Sequence, residues 1–510
     1  MLFTSVAVFV AASLLNLAYA APALSRDPPG RVIRRGSALY LDNKLFRFVS
    51  YNAPSLLITQ DGGPHFVKPN QWDTNDTIDT LAEQVNRVTR AGTGLGIKSR
   101  MNGNVEFHLY ACRGYNESAF RTMDYVLDYA AKRGVKLIIP IINNEWHNRT
   151  DGTSRSDYHG SWADFSELCV NNRSYSAFFE DFAVRAAFKD FISFMLDRRN
   201  TVNGKRWGDD PTLMALATGN ELGGWDEPPP PGNWTVDIAQ HIKSLAPYLL
   251  VADGTLISND TSRMASEALT SPAVDMFSNH AYFGAAVDIA RMQADMLVTK
   301  RARKVFWCGE FGLYNNKADY KTVLDFTVQS ESAGILIWSL RSHSVNGGFY
   351  THTENDGAFY SLHAPGFPPR EPGFGPEESW LVPLLFNYSA KINGMPIPPP
   401  PRLRRVPVLL PAQSGANLRW QGVAWASGYD VQRAPAVGNG TAVWPGTWTN
   451  IGQGINDNVP NGIAIFLDPL GNSSRSLVFY RVRAIAHGSQ PTSYSTPLGP
   501  IPAHNISSIA

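Results

Sequence analysis

Two glutamates each close an apolar run: Glu221 after Leu213-Met214-Ala215-Leu216-Ala217-Thr218-Gly219-Asn220, and Glu310 after Val305-Phe306-Trp307-Cys308-Gly309. A charge at the end of such a run is costly unless pairing or function retains it. Two carboxyl groups that face one another can split a glycosidic bond. One protonates the leaving oxygen, and the other attacks or stabilises the anomeric carbon. When the pair stands about 5–5.5 Å apart, the product retains its configuration. Either glutamate alone reads equally well as a salt-bridged loop residue, so the case rests on their surroundings. Period-two alternation puts Glu310, Cys308 and Phe306 on one side of their strand, expected to be the interior of a barrel.

The elements that must carry these residues alternate along the chain from about residue 35 to 393. Strand-like segments read at 46–50, 86–90, 135–142, 213–217, 249–253, 276–279, 304–308 and 334–338. Helical periodicity fills the intervals, for example at 119–132, 177–197, 236–246 and 321–333. Near-continuous apolar strands separated by helices predict a parallel sheet covered by helices, and about eight of them fit a closed (β/α)8 TIM barrel, an α/β fold. An open doubly wound sheet fits the alternation too. The polar strand ends favour the barrel: Asn52, Arg90, Asn143-Asn144-Glu145-Trp146, Asn220-Glu221, Asp253, Asn279-His280, Glu310 and Trp338. Barrel enzymes assemble their sites from such ends. The bland alternative is that polar residues only mark where strands become loops.

Pro396 to Pro401 reads as a stiff proline-rich spacer. Beyond it the chain turns β-rich, with short strands at 417–420, 429–433 and 479–484, as in a small all-β sandwich. These last hundred residues resemble a fibronectin type III domain.

Four segments resemble glycoside hydrolase family 5, and most of all its mannanase-type branch. They are Leu216 to Glu221, Ser278-Asn279-His280-Ala281-Tyr282, Phe306 to Gly312 (with Gly309-Glu310-Phe311-Gly312), and Gly334 to Leu340 around Trp338. The resemblance implies Glu221 as acid/base and Glu310 as nucleophile. It further implies Asn220, Arg90, His280, Tyr282 and Trp338 as substrate-binding or supporting residues, with Arg100 a rival for Arg90. Asn220 would reach the 2-hydroxyl, Tyr282 and Arg90 would keep Glu310 ionised, and Glu221 requires the opposite treatment to carry a proton. Trp338 would stack under a sugar ring. Asn144 and Trp146 are added as cleft residues, although Trp146 could equally close a loop. The family usually continues Asn-Glu with Pro, whereas this chain has Leu222-Gly223-Gly224-Trp225, which leaves the sugar open.

The expected function is retaining hydrolysis of a β-1,4-linked polysaccharide, mannan or glucomannan first. The alternatives are a β-glucan hydrolase or transglycosylase of the same fold, or a catalytically silent carbohydrate-binding protein. No cofactor or metal is expected. His343, His352 and Glu354 read as a polar subsite loop because they lack tight ligand spacing. Pro228 to Pro231 reads as a cleft wall.

Composition bounds the partners. Formal net charge is +1, with no basic footprint for nucleic acid or an anionic membrane. The chain carries 13 Trp, 19 Tyr and 26 Phe, enough to offer sugar platforms as well as a core. Residues 1–20 read as a signal peptide ending at Ala18-Tyr19-Ala20, followed by a catalytic domain over 21–395, the linker at 396–401 and the sandwich over 402–510. Sequons at Asn75, Asn116, Asn148, Asn172, Asn233, Asn259, Asn387, Asn439, Asn472 and Asn505 support a secreted glycoprotein. A monomer is expected. Cys112 and Cys169, in polar, loop-like contexts, could form a bridge, and Cys308 reads as a buried thiol; three reduced cysteines remain the alternative.

Overall fold

The computed structural model describes residues 27–503, apart from 58, 61–65, 68–69, 93, 99–106, 145, 149–152, 156–159, 225–226, 258–259, 353–360, 369–372, 415–416, 439–441 and 470–475. The side chains of 59–60, 66–67, 146–148, 153–155 and 261 also lie outside the description. So do the signal segment at 1–20 and the sequons at Asn259, Asn439, Asn472 and Asn505.

Eight parallel strands close into a barrel: β1 (Phe48–Asn52), β2 (Val88–Arg90), β3 (Lys136–Pro140), β4 (Leu213–Ala217), β5 (Leu250–Ala252), β6 (Met276–Ala281), β7 (Val305–Phe311) and β8 (Gly334–Ile337). Each strand pairs with its sequence neighbour, and β8 pairs back onto β1. Helices wrap the outside: α1 (Gln71–Leu81), α2 (Glu117–Arg133), α3 (Trp162–Val170), α4 (Tyr175–Phe179), α5 (Phe182–Asp197), α6 (Gly232–Leu245), α7 (Ser266–Thr270), α8 (Ala285–Arg301), α9 (Lys317–Gln329) and α10 (Glu378–Lys391).

Strand alternation sorts side chains into two cores. Phe48, Val88, Ile138, Met214, Met276, Val305, Trp307 and Leu336 fill the barrel interior, and Val32, Leu39 and Phe46 close its lower end. Val49, Leu137, Ile139, Leu216, Val251, Phe277, Phe306, Cys308 and Ile335 face the helices.

Several expectations shift. The first strand starts at Phe48, because Phe46 donates its amide to Leu39 O (2.8 Å) in the N-terminal ribbon. Arg47 instead turns to the carbonyls of Thr327, Val328, Ser330 and Ser332. That two-residue shift puts Asn52 on the last rung, beside Arg90. The helix expected over 177–197 is two helices, since Asp181 accepts from the amides of Ala183 (2.7 Å) and Val184 (3.0 Å) and starts a new one. Cys308 and Phe306 face the helices and not the interior. The β6–β7 ladder carries a bulge: Asn279 pairs with Cys308, but His280 pairs with Glu310. The extra residue, Gly309, swings Glu310 back to the barrel mouth.

Cys112 and Cys169 are bonded, and Cys308 is a buried free thiol. Cys169 lies on α3 and not in a loop. The bond ties the segment preceding α2 to the end of α3.

The C-terminal region holds β9 (Val408–Leu409), β10 (Trp420–Gln421), β11 (Gly428–Gly438), β12 (Val443–Pro445), β13 (Thr449–Ile455), β14 (Leu477–Ile485) and β15 (Leu498–Pro502). Its larger sheet runs β12-β11-β14-β15, with β13 also on β11, around Leu418, Trp420, Tyr429, Val431 and Tyr480. The chain after the proline stretch docks on the barrel at once. Arg404 pairs with Glu83, and Arg405 pairs with Asp76 (2.8 Å) and Asp79 (3.2 Å) on the barrel. Among the described residues no helix is long and apolar enough to cross a membrane.

Candidate active site

Ladder register assembles the mouth before any side chain is considered. Asn52 stands beside Arg90, Asn143 bridges to Asn220, and His280 stands beside Glu310.

Glu310 is buried, and its two oxygens have different partners. Arg90 Nη1 donates to Oε1, and the Tyr282 hydroxyl donates to Oε2 at 2.7 Å. His280 Nδ1 lies 3.5 Å from the same Oε2. Burial pushes this carboxyl upward, but the charge of His280, the Arg90 guanidinium and the Tyr282 hydrogen bond outweigh it. Together they hold it below the usual glutamate range. Arg90 is itself fixed by Asn220, whose Oδ1 accepts from Nη2, and lies 3.5 Å from Asn52 Oδ1. Asn52 in turn donates to Gly309 O at 3.0 Å, which secures the bulge.

Glu221 comes from the turn after β4. Its φ of 52° is in the left-handed region, seldom taken by a residue with a Cβ. Hydrogen bonds on both sides enforce the turn: Asn220 N donates to Ile142 O (2.7 Å), Leu222 N to Gly254 O (2.9 Å) and Gly224 N to Glu221 O (2.9 Å). The Glu221 side chain keeps some solvent access, and His280 Nδ1 lies 2.5 Å from its Oε1. One acceptor atom from each of Glu221, His280 and Glu310 falls within 4.8 Å of the others. Such a triad could hold an ion, but Arg90 against Glu310 opposes a cation there.

The structure brings together Glu221, Glu310, Asn220, Arg90, His280 and Tyr282. Trp338 follows β8, half-buried, with its amide donating to Phe311 O at 3.0 Å and a cis peptide to Ser339. Asn144 is buried: it accepts from Trp162 Nε1 (3.1 Å) and donates its amide to Asn220 O (3.0 Å), supporting the Glu221 turn from below. Trp146 begins a short strand, but its side chain lies outside the described residues, as do Arg100, Glu145, Trp225 and Glu354. Near the proline loop, Tyr175 donates to Pro229 O at 2.6 Å.

Three residues gain parts that the sequence reading did not assign. Asn52 braces Arg90 and Gly309, and Asn143 Oδ1 accepts from Asn220 Nδ2 at 2.8 Å. Both end apolar strands, the same signal that marked the other site residues. Arg263 donates to Leu256 O (2.7 Å) and to Gly224 O and Glu227 O (both 3.2 Å), pinning the loop after Glu221. Nothing local in the sequence announces that. The subsite reading of His343 is corrected. It is buried between Asp76 and Asp457, 2.7 and 3.1 Å from their carboxylates, at the seam with the C-terminal region.

A closed (β/α)8 barrel with paired carboxylates at the C-terminal ends of β4 and β7 is the class that fold and site define. Comparison with known proteins shows what the chain is similar to. The model of the glycoside hydrolase family 5 beta-mannosidase-like family matches residues 98–286, which include Asn220, Glu221, His280 and Tyr282. The chain is 32% identical over 146 residues to a putative mannan endo-1,4-beta-mannosidase 5 of Oryza sativa subsp. japonica, covering 28% of this chain and 27% of that protein. It is 26% identical over 207 residues to mannan endo-1,4-beta-mannosidase 2 of the same organism, covering 38% and 45%. The chain thus spans less than half the length of these curated relatives. Its fold is similar to that of a glycoside hydrolase family 5 mannosidase from Rhizomucor miehei (TM-score 0.52, 18% identity, 71% of this chain and 97% of that one). It is also similar to an endo-beta-1,4-mannanase from Thermotoga petrophila (TM-score 0.50, 17% identity, 89% and 98%).

Proposed function

We propose that this chain is a secreted retaining glycoside hydrolase that cleaves β-1,4-linked mannan or glucomannan by double displacement. The carrying observation is the glutamate pair across one mouth, with an oxygen of each within 4.8 Å of the other, close enough for the second carboxylate to attack directly instead of through a water.

Glu310, held ionised by Arg90 and Tyr282, attacks the anomeric carbon while Glu221 gives its proton to the departing glycosidic oxygen. The carbon–oxygen bond breaks and an ester to Glu310 forms. Glu221, now a carboxylate, takes a proton from water, which attacks the same carbon, restores the configuration and frees Glu310. Asn220 serves the 2-hydroxyl, Trp338 carries a sugar ring on its face, and His280 keeps the two carboxylates in register. Mannan comes from the likeness to mannan endo-1,4-beta-mannosidases; the leader and sequons support secretion. The C-terminal strands fit a fibronectin type III-like sandwich over 402–510, after a catalytic domain over 21–395 and a linker at 396–401.

The test is a panel of mannan, glucomannan, cellulose and xylan, with the first-formed anomer read by NMR. Initial β product from a mannan supports the reading. Initial α product would remove the retaining mechanism, and binding without turnover by folded protein would replace catalysis with carbohydrate recognition.

A further inference from the structure

The segment leaving β8 runs from the mouth to the C-terminal region within a few residues. Leu340, two residues beyond Trp338, donates its amide to Asn52 O at 2.8 Å, which ties the start of the segment to β1. The chain then folds back as a small hairpin in which His343 bridges Phe349 and Tyr350 N donates to Ser342 O at 3.1 Å. A two-stranded hairpin of Ser, Asn and Gly-rich sequence has little stability of its own, so its place is set by what grips it.

Two bodies grip it. From the barrel, Asp73 accepts from Val345 N (3.1 Å) and the Tyr350 hydroxyl (2.9 Å), and Asp76 accepts from His343 N (2.9 Å). From the C-terminal region, Val459 O accepts from Phe349 N, and Gly462 N donates to Gly347 O, both at 2.9 Å. Asp457 reaches the far side of the buried His343 ring, and Asn461 meets Ser344 Oγ at 2.6 Å. The C-terminal region is itself seated on the barrel. Trp425 belongs to the barrel's helix-facing core, donates Nε1 to Thr80 O at 3.0 Å and packs edge-on to Phe386.

We propose that the C-terminal region is a positioning element of the active site: by clamping the 342–350 hairpin it fixes the sugar-binding segment that begins at Trp338. This rests on the reading of the mouth as a glycan-cleaving site, and His343 is its central positioning residue. The clamp sets substrate contact and leaves the Glu221–Glu310 chemistry untouched.

Gly348 allows a test away from the mouth. A Cβ there would come within 2.4 Å of Val459 O and 2.6 Å of Pro460 O, so Gly348→Ala wedges the seam open. In the full-length chain, amide exchange at 343–350 is expected to speed up about tenfold or more. KM on mannan is expected to rise about fivefold with kcat unchanged, the sign of lost ground-state contacts. His343→Gln is expected to act in the same direction. If Gly348→Ala does not fold, Ser344→Ala, which removes the contact to Asn461 Oδ1 and the acceptor for Asn346 N (3.0 Å), reads the same quantities with smaller effects. Unchanged exchange in a folded variant, or faster exchange with unchanged KM, overturns the proposal. A kcat collapse at constant KM overturns it as well. Should the wild type turn over no β-mannan, the function reading falls. The proposal falls with it if long manno-oligosaccharides bind wild type and Gly348→Ala equally, and stands if the variant binds them more weakly.

Discussion

Glu221 and Glu310 leave different strands of one barrel, yet bring acceptor atoms within 4.8 Å of each other, with His280 Nδ1 2.5 Å from one and 3.5 Å from the other. Their surroundings are unequal. Glu310 is buried and held by a guanidinium and a phenol, whereas Glu221 stands in a turn with some access to water. On the proposed function, that asymmetry is what separates nucleophile from proton carrier.

Removing either carboxylate tests the roles. Glu221→Ala is expected to lower kcat about 10²–10⁴-fold, the usual worth of general acid–base catalysis. On an aryl β-mannoside, whose leaving group departs without a proton, azide should restore turnover and give a β-glycosyl azide, because the Glu310 ester still forms. Glu310→Ala is expected to be inactive on mannan and to yield no β-azide. Rescue of both with the same anomer would undo the assignment.

Tyr282→Phe removes the 2.7 Å donation to Glu310. A hydrogen bond to a charged group is worth about 1.5–3 kcal/mol, so kcat/KM is expected to fall about 10- to 100-fold. The carboxyl now held low should titrate higher, moving the acid limb of the kcat/KM–pH profile to higher pH. An unmoved limb would show that Tyr282 does not govern the ionisation of Glu310.

Gly309→Ala would place a Cβ 3.0 Å from His280 Nε2. Displacing His280 by a few tenths of an ångström is expected to cost up to about tenfold in kcat, since a full ångström costs on the order of 10²-fold. Thermal unfolding should change little, which distinguishes misplacement from misfolding.

The seam should show a pH signature. Burial alone would lower the His343 pKa, but Asp76 and Asp457 raise it to about 9. Because the folded value exceeds the unfolded one of about 6.5, the stabilisation is complete below pH 6.5 and is lost as pH climbs through 9. Asp73, raised to about 7 chiefly by burial, imposes a cost that is complete above that pH and so does not shape the decline. Lys304, lowered by burial to about 8, works in the opposite sense above pH 8. The useful quantity is therefore the difference in melting temperature between wild type and His343→Gln, expected to shrink from pH 7 to 9. A constant difference would count against the charged clasp.

Reduction of Cys112–Cys169 releases residues 57 apart in sequence. Cys112→Ser with Cys169→Ser is expected to cost roughly 2–4 kcal/mol, read as a lower denaturation midpoint. Buried Cys308 should stay unlabelled by thiol reagents until unfolding.

The sequence by itself determined the barrel and most of the mouth. Apolar strands that all end in polar residues, at Asn220-Glu221, His280 and Glu310, favour a barrel with one shared mouth over an open doubly wound sheet. It also determined a β-rich C-terminal region, since alternation and turn residues are local signals. Tertiary structure decided the rest. Strand alternation assigned Cys308 and Glu310 to one face, but a bulge at Gly309 is set by pairing with β6 and cannot be read from one strand. Asn52 stands beside Arg90 through the register of β1 on β2, while Arg47 is held by carbonyls near residue 330, a contact no local pattern announces. His343 looked like a subsite residue because its partners, Asp76 and Asp457, lie hundreds of positions apart. The prolines at 396–401 are stiff locally, but stiffness does not say where a chain lands; Arg404, Arg405 and Trp425 decided that by docking on α1 and the residues just beyond it.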